Sequence, residues 1–292
     1  MDSRRKRTIK LILLACFVGL ALTPSGCGSS ATTASAPTSS PSGGYQSPYT
    51  LKYTLPTADL LAGFGQSPWN NPQLQSSVAY ADWNSDPSSW GPSPTQYPAP
   101  TDLAGQSEAW KQQRLVATAA LFLGTDYQHH HIPAWNPPAG WEWEQVSIGH
   151  NGPGIDCSDF SSFEYNYGLG IHLETDVVTQ STSLTNSGPG GVGTITATQI
   201  NDPGSFAGLV ASLHTGDLLY IKSDKGQVSH VIMWLGSVGV SPDGTLLVID
   251  SHDNSPPITD ANGKVVPAGV EIRPFEASGW YYRNFSHALR WV

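Results

Sequence analysis

Charged side chains are scarce in this 292-residue chain, at 13% of all residues, about half of what is usual in soluble domains. This scarcity argues against a coiled coil, a long solvated helix or an acidic disordered tail, because each depends on dense charge. Basic residues are fewer than acidic ones, 14 against 23, and five of the 14 lie in the first ten positions. A chain without residues 1–26 would carry 9 basic and 22 acidic side chains, a net charge of −13. Such a surface repels phosphate backbones, so we expect no nucleic-acid partner.

Cysteine is also scarce. Of the three cysteines, Cys16 and Cys27 lie within or directly after the apolar N-terminal segment, which leaves Cys157 alone in the remainder. A single cysteine cannot form an internal disulfide, and an exposed thiol in an oxidising compartment is oxidised over time. Its presence is explained either by burial as a small apolar residue or by chemistry. No phosphate-binding loop, dinucleotide fingerprint or Gly-x-Ser-x-Gly elbow occurs in the sequence.

Residues 1–26 predict an export signal. A basic cluster precedes the apolar run Leu11–Leu22, which is too short to span a bilayer comfortably but typical of a signal peptide. The residues around Cys27 resemble a bacterial lipoprotein cleavage site, where that cysteine is acylated; ordinary signal cleavage is the alternative. Residues 27–44 predict a low-complexity tether, since no large apolar side chain follows Cys27 there. We therefore expect an exported, envelope-located protein that is anchored to the membrane by a lipid on Cys27.

The remaining patterns predict an α+β domain over residues 105–292, preceded by an irregular Pro/Trp-rich segment over 45–104. High proline density disfavours long helices and central strands in that segment, and its aromatic residues are expected to pack on the following domain. Helical spacing predicts helices at residues 107–123 and 157–167, with Ser107 and Asp156 as N-caps. After Gly216 the apolar period changes to two, which predicts strands at residues 218–222, 230–235 and 245–251, with a hairpin turn at 241–244. Helices followed by an antiparallel sheet indicate the α+β class.

The surroundings of Cys157 favour a nucleophile. With Asp156 as N-cap, Cys157 falls in the first helical turn, where unpaired N–H groups and the helix dipole favour a thiolate. A thiol nucleophile needs a base within hydrogen-bond reach and a third group that orients the base. His230 opens a predicted strand, and Asp250 and His252 share one face of the next strand because they are two residues apart. Either of these two residues could orient His230.

These motifs together resemble a known family. Gly154-x-Asp156-Cys157-Ser158, then Gly216-Asp217-Leu218 and Ser229-His230-Val231, look like the NlpC/P60 family of papain-like cell-wall cysteine peptidases. The stretch ending in Tyr127 also resembles the family's Gly-x-Pro-Tyr stretch, whose tyrosine lines the active site. The resemblance covers residues 105–292 and implies a papain-like fold with helices packed on an antiparallel sheet.

The resemblance implies Cys157 as nucleophile, His230 as base and a polar third residue on the following strand. His252 has the residue type common in the family, whereas Asp250 has the position at the strand end. Tyr127, Asp156 and Ser158 are the implied substrate contacts. The implied reaction is hydrolysis of an amide bond in a peptidoglycan stem peptide, between D-Glu and diaminopimelate, without a cofactor.

Three features depart from the family pattern. Asp159 stands where glycine is common, so a carboxylate beside the thiol should oppose thiolate formation or shape substrate choice. Gln128-His129-His130 replaces Trp-Gly-Gly, and the connection from His230 to Asp250 is longer than usual. These departures leave two alternatives open: a thiol amidase or acyltransferase acting on another envelope substrate, or a non-catalytic envelope-binding module.

The three adjacent histidines His129, His130 and His131 could suggest a metal site. Three consecutive side chains cannot all face one ion from a helix or a strand, and no accompanying ligand spacing is present. We expect these histidines to line a pocket or belong to a loop, and we expect no metal.

Overall fold

A computed structural model describes residues 44–55, 96–127 and 155–292. The predicted export signal, the tether, the lipid-bearing Cys27 and the segment with Gln128 and His129–His131 lie outside the described residues. Within the described ranges, the helices are α1 (Glu108–Ala120), α2 (Cys157–Leu169), α3 (Val177–Thr182), α4 (Phe206–Ser212) and α5 (Trp280–Arg283). None of them combines the length and the apolar composition needed to cross a membrane.

The strands of the described residues form one large sheet and two short pairs. They are β1 (Thr50–Leu51), β2 (Thr185–Ser187), β3 (Thr194–Thr196), β4 (Thr198–Asn201), β5 (Leu218–Lys222), β6 (Val228–Trp234), β7 (Gly239–Val240), β8 (Leu246–His252), β9 (Gly269–Phe275) and β10 (Phe285–Arg290). The six-stranded sheet has the order β4-β10-β5-β6-β8-β9, and every neighbouring pair is antiparallel. The predicted α+β class is confirmed.

The sheet lies between two apolar layers. Along β6, Val231 and Met233 belong to the core that α1 and α2 cover, and Ile232 and Trp234 belong to the core on the α4 and α5 side. Successive side chains of a strand point to opposite faces, so a strand buried on both faces is apolar at nearly every position. This explains the continuous apolar run in the middle of β6.

The two predicted helices are present with shifted ends. Ser107 caps α1, its Oγ accepting from the N–H of Trp110 at 3.2 Å, but α1 ends at Ala120 because the next residues form tighter i to i−3 hydrogen bonds. Helix α2 continues through Gly168 to Gly170, whose φ of 71° ends it in the left-handed region. Gly168 is a packing position rather than a stop, since a Cβ there would lie 2.9 Å from Oγ1 of Thr118 on α1.

The three predicted strands correspond to β5, β6 and β8, with ends within two residues of the prediction. The turn at 241–244 is closed by the N–H of Gly244, which donates to the carbonyl of Ser241 at 3.3 Å. Strands β4, β9 and β10 and the β2–β3 hairpin were not predicted. The described part of the Pro/Trp-rich segment packs on the domain that follows: β1 pairs with β7, and Tyr49, Leu51 and Tyr97 belong to the core that α1 and α2 cover.

Candidate active site

Asp156 begins the helix that carries Cys157. Its Oδ1 accepts hydrogen bonds from the N–H groups of Ser158 at 3.1 Å and of Asp159 at 2.9 Å, as the N-cap prediction required. The N–H of Cys157 itself makes no hydrogen bond within the described part of the chain. It is therefore the donor at the helix start that could face a developing oxyanion.

The thiol of Cys157 lies in a closed environment. The residue is 6% exposed, and the backbone N–H of Val231 donates a hydrogen bond to its sulfur. Burial first, and then the carboxylate of Asp156, raise the pKa of the Cys157 thiol well above its ordinary value, against the opposing hydrogen bond from Val231. The expectation of a resting thiolate is therefore wrong, because desolvation and nearby carboxylates outweigh the favourable helix N-terminus.

Asp159, the departure from the family pattern next to the thiol, is buried as well. Burial and the neighbouring Asp156 raise the pKa of its carboxyl well above the usual range. This carboxyl consequently resists ionisation, which limits the negative charge that accumulates beside Cys157.

His230 is held by Asp250. Nε2 of His230 lies 2.7 Å from Oδ2 of Asp250, and both side chains are almost fully buried. With Asp250 ionised, Nε2 carries the proton and donates it in this hydrogen bond, so Nδ1 is left as an acceptor. Val231, which follows His230 on β6, hydrogen-bonds to the sulfur of Cys157 at the start of α2. Strand β6 and helix α2 are therefore in contact next to His230.

Asp250 has two further partners besides His230. Nη1 of Arg273 lies 2.6 Å from its Oδ1, and the hydroxyl of Tyr281 donates to its Oδ2 at 2.6 Å. Burial alone would raise the pKa of Asp250, but the Arg273 guanidinium and the hydrogen bond from His230 hold it below its usual range. Asp250 is therefore an ionised carboxylate inside the protein.

His252 lies beside His230 without a hydrogen bond to it. The two rings meet edge to face with centroids 5.1 Å apart, and Nδ1 of His252 accepts from the N–H of Asn254 at 2.8 Å. Burial, followed by the proximity of His230, lowers the pKa of His252 to about 3, so this ring is neutral near pH 7. Of the two candidates for the third residue, Asp250 is the one that contacts the imidazole of His230 by a hydrogen bond.

A cleft of about 530 Å³ opens beside His230. Its described lining combines aromatic, hydroxyl and acidic side chains: Tyr127, Ser223, Asp224, Ser229, His230, His252, Asp253, Ser255, Pro256 and Trp280. No lysine or arginine is part of this lining. Of the predicted substrate contacts, Tyr127 lines the cleft, whereas Asp156 and Ser158 are buried at the helix start and hydrogen-bond to each other at 3.3 Å. The described residues contain no cluster of His, Cys, Asp and Glu arranged to hold a metal ion.

Tyr127 reaches the cleft because its segment passes close to the start of β9. The carbonyl of Thr125 accepts from the N–H of Val270 at 2.8 Å, and Tyr127 then bridges to Ile155 just before α2. Gly269 makes this approach possible: its φ is +103°, and a Cβ there would clash with the Thr125 carbonyl oxygen. Burial above all raises the pKa of Tyr127, so its hydroxyl stays neutral.

Arg273 and Tyr281, which hold Asp250, and Trp280, which lines the cleft, were not predicted from the sequence. The sequence gives one indication of Arg273, because it stands with Glu271 between apolar residues in the stretch Gly269–Phe275, which forms the fully buried strand β9. A fully buried arginine needs a partner of opposite charge, but the sequence does not show which carboxylate that is.

Comparisons with known proteins returned solved structures alone: no protein-family model and no curated protein matched the chain. An NlpC/P60 family protein from Bacillus cereus is 22% identical, with a TM-score of 0.36, and the alignment covers 68% of this chain and 43% of that one. The NlpC/p60 domain of the peptidoglycan hydrolase SagA is 19% identical (TM-score 0.34; 61% and 97% covered), and NlpC1 from Trichomonas vaginalis is 18% identical (TM-score 0.35; 67% and 48% covered). The chain thus spans less than half of the first and third of these structures.

Proposed function

We propose that this protein is a cysteine peptidase that hydrolyses an amide bond in peptidoglycan stem peptides, between D-Glu and diaminopimelate. The observation that carries the proposal is the 2.7 Å hydrogen bond between Nε2 of His230 and Oδ2 of Asp250, on a strand whose next residue contacts the sulfur of Cys157. A nucleophile, a base and a group that orients the base are the three parts that thiol acyl transfer requires.

In the proposed reaction, Nδ1 of His230 accepts the proton of the Cys157 thiol while the sulfur attacks the carbonyl carbon of the substrate amide. The proton moves during the attack, because the raised pKa of the thiol keeps it neutral at rest. The N–H of Cys157 stabilises the oxyanion. The imidazolium then protonates the leaving amine, and water hydrolyses the thioester with His230 again acting as base. Asp250 stabilises the imidazolium in both steps.

The proposed location follows from the N-terminal sequence. Residues 1–26 would direct export, Cys27 would carry the lipid, and residues 27–44 would give the enzyme reach from the membrane to the cell wall. Residues 45–104 and 105–292 would then form the Pro/Trp-rich segment and the catalytic domain. The substrate is accordingly an envelope polymer.

The test is digestion of purified sacculi by the wild type and by Cys157→Ser, with the products identified by mass. The proposal predicts fragments cut between D-Glu and diaminopimelate from the wild type and none from Cys157→Ser, whose thermal melting should match the wild type. Cysteine-dependent products cut at a different amide or ester would identify the amidase or acyltransferase alternative. Equal binding of both proteins to sacculi with no products would favour the non-catalytic module.

A further inference from the structure

We propose that Arg273 is a positioning residue of this site: its guanidinium holds Oδ1 of Asp250 and thereby directs Oδ2 at Nε2 of His230. The inference rests on the proposed function, since His230 is the base of that reaction. Arg273 lies on β9, the edge strand of the sheet, and its role reaches His230 on β6 through Asp250 on β8.

The guanidinium of Arg273 is fixed by several acceptors at once. Nη1 donates to Oδ1 of Asp250 at 2.6 Å and to the Asp250 carbonyl at 3.1 Å. Nη2 donates to the carbonyls of Pro267 at 2.5 Å and Gly269 at 3.1 Å. The residue is 1% exposed, so these contacts are made inside the protein, away from bulk solvent. Arg273 therefore fixes the Asp250 carboxylate through Oδ1, the oxygen that does not contact His230.

This arrangement determines which oxygen His230 meets. Arg273 occupies Oδ1 of Asp250, whereas Nε2 of His230 and the hydroxyl of Tyr281 share Oδ2. A buried carboxylate without a counter-charge takes up a proton. Protonated Asp250 would no longer hold the proton of His230 on Nε2, and Nδ1 would lose its assigned role as acceptor. The positive charge of Arg273 prevents that proton uptake.

Tyr281 contacts the other oxygen of the Asp250 carboxylate, opposite the one that Arg273 holds. Its hydroxyl donates to the same Oδ2 that accepts from His230, and its ring lies nearly parallel to the imidazole, with centroids 6.1 Å apart and 11° between the planes. Two donors on one oxygen divide its capacity to stabilise an imidazolium. Removing the Tyr281 hydroxyl should therefore strengthen the bond between His230 and Asp250.

The first test is a double-mutant cycle of Arg273→Met and Asp250→Asn. Arg273→Met should lower kcat about 100-fold with a small change in KM, because the imidazole loses its orientation rather than the substrate its contacts. Adding Asp250→Asn should recover about tenfold of that loss, since a neutral amide oxygen accepts from Nε2 without needing a counter-charge. A merely structural arginine predicts a double variant that is no more active than Arg273→Met.

The matched control is Arg290→Met. Arg290 forms another ion pair with a buried carboxylate, at 2.7 Å from Oδ2 of Asp217, outside the cleft lining. This variant should lose stability as Arg273→Met does, but it should keep the wild-type kcat per folded molecule and the wild-type pH profile. A similar loss of kcat in both arginine variants would overturn the proposal.

A second pair of variants applies if Arg273→Met does not fold. Tyr281→Phe should move the acidic limb of the kcat/KM profile to higher pH, whereas Tyr282→Phe, whose ring packs against Phe206 and Phe275, should not move it. An unchanged acidic limb in Tyr281→Phe would contradict the shared-oxygen geometry.

Nitrogen NMR of the His230 ring separates the two levels of inference, because it needs no substrate. In folded wild type the ring proton should be on Nε2, and Arg273→Met, which removes the counter-charge of Asp250, should increase the Nδ1-protonated form. If the wild type cleaves no amide while this tautomer shift is seen, the proposed function fails and the positioning stands. If cleavage is seen but the tautomer does not respond, the positioning fails alone.

Discussion

Replacing Glu164 by glutamine should make the protein more stable at neutral pH and not at acidic pH. Glu164 lies on α2, two turns after Cys157, and is 0% exposed. Neither of its carboxyl oxygens has a hydrogen-bond partner in the part of the chain that the structure describes. Burial, and secondarily the charge of Asp250, raise the pKa of Glu164 well above its usual value.

The sign and the size of the effect follow from proton linkage. An acid whose pKa is higher in the folded state than in the unfolded state binds more protons when folded, so stability falls as pH rises above the unfolded value of 4.5. The slope is about 1.4 kcal/mol per pH unit while the folded protein keeps the proton. Between pH 4.5 and pH 7 the accumulated loss is therefore at most about 3.4 kcal/mol.

Urea unfolding of the wild type and Glu164→Gln at pH 4, 5, 6 and 7 measures this difference directly. Glutamine cannot ionise but remains an unpaired buried polar group, so the variant should have no advantage at pH 4. Its advantage should then grow by about 1.4 kcal/mol per pH unit above pH 5. The control is Glu276→Gln, at an exposed position, where no such trend is expected. A difference between Glu164→Gln and the wild type that stays constant with pH would refute the reasoning.

Further predictions concern the thiol, the approach of Tyr127 and the cleft. Alkylation of Cys157 by iodoacetamide, followed by mass, should be slow at pH 7 and accelerate steeply in alkaline buffer, because burial raises the pKa of the thiol; rapid alkylation at pH 7 would contradict this. Gly269→Ala should lower the free energy of unfolding by about 1–3 kcal/mol or more, since φ is +103° and the Cβ meets Thr125; urea unfolding with an unchanged midpoint would contradict the close approach. The described cleft lining contains Asp224 and Asp253 but no basic residue, so amidated stem peptides should be cleaved faster than stem peptides with free acids. The double variant Asp224→Asn and Asp253→Asn should reduce this preference, measured as the ratio of the two kcat/KM values, on the order of threefold at low salt. A ratio that is the same in the wild type and the double variant would exclude a role for cleft charge.

Local sequence patterns were sufficient for the helix starts and for the central strands. Ser107 and Asp156 cap the helices as predicted, because an N-cap depends on a side chain and the N–H groups two or three residues away. The strand predicted over 218–222 is β5 with its observed bounds, although residues 218–221 form a continuous apolar run buried on both faces of the sheet rather than an alternating pattern. Helix ends were less predictable: whether Gly168 stops a helix or packs against Thr118 depends on where α1 lies.

The features of the candidate site also separate into those that the sequence predicted and those that tertiary packing decided. Its residue types, the helix start at Cys157 and the shared face of Asp250 and His252 are consequences of chain order and of the two-residue period of a strand. That period cannot distinguish Asp250 from His252. The distinction comes from Arg273 on β9 and Tyr281 on α5, which approach Asp250 from positions 23 and 31 residues away along the chain. The protonation of Cys157 also depends on long-range packing. Burial is the main cause that opposes ionisation of the thiol, and it arises because the start of α2 packs against residues of β6 that are distant in the sequence.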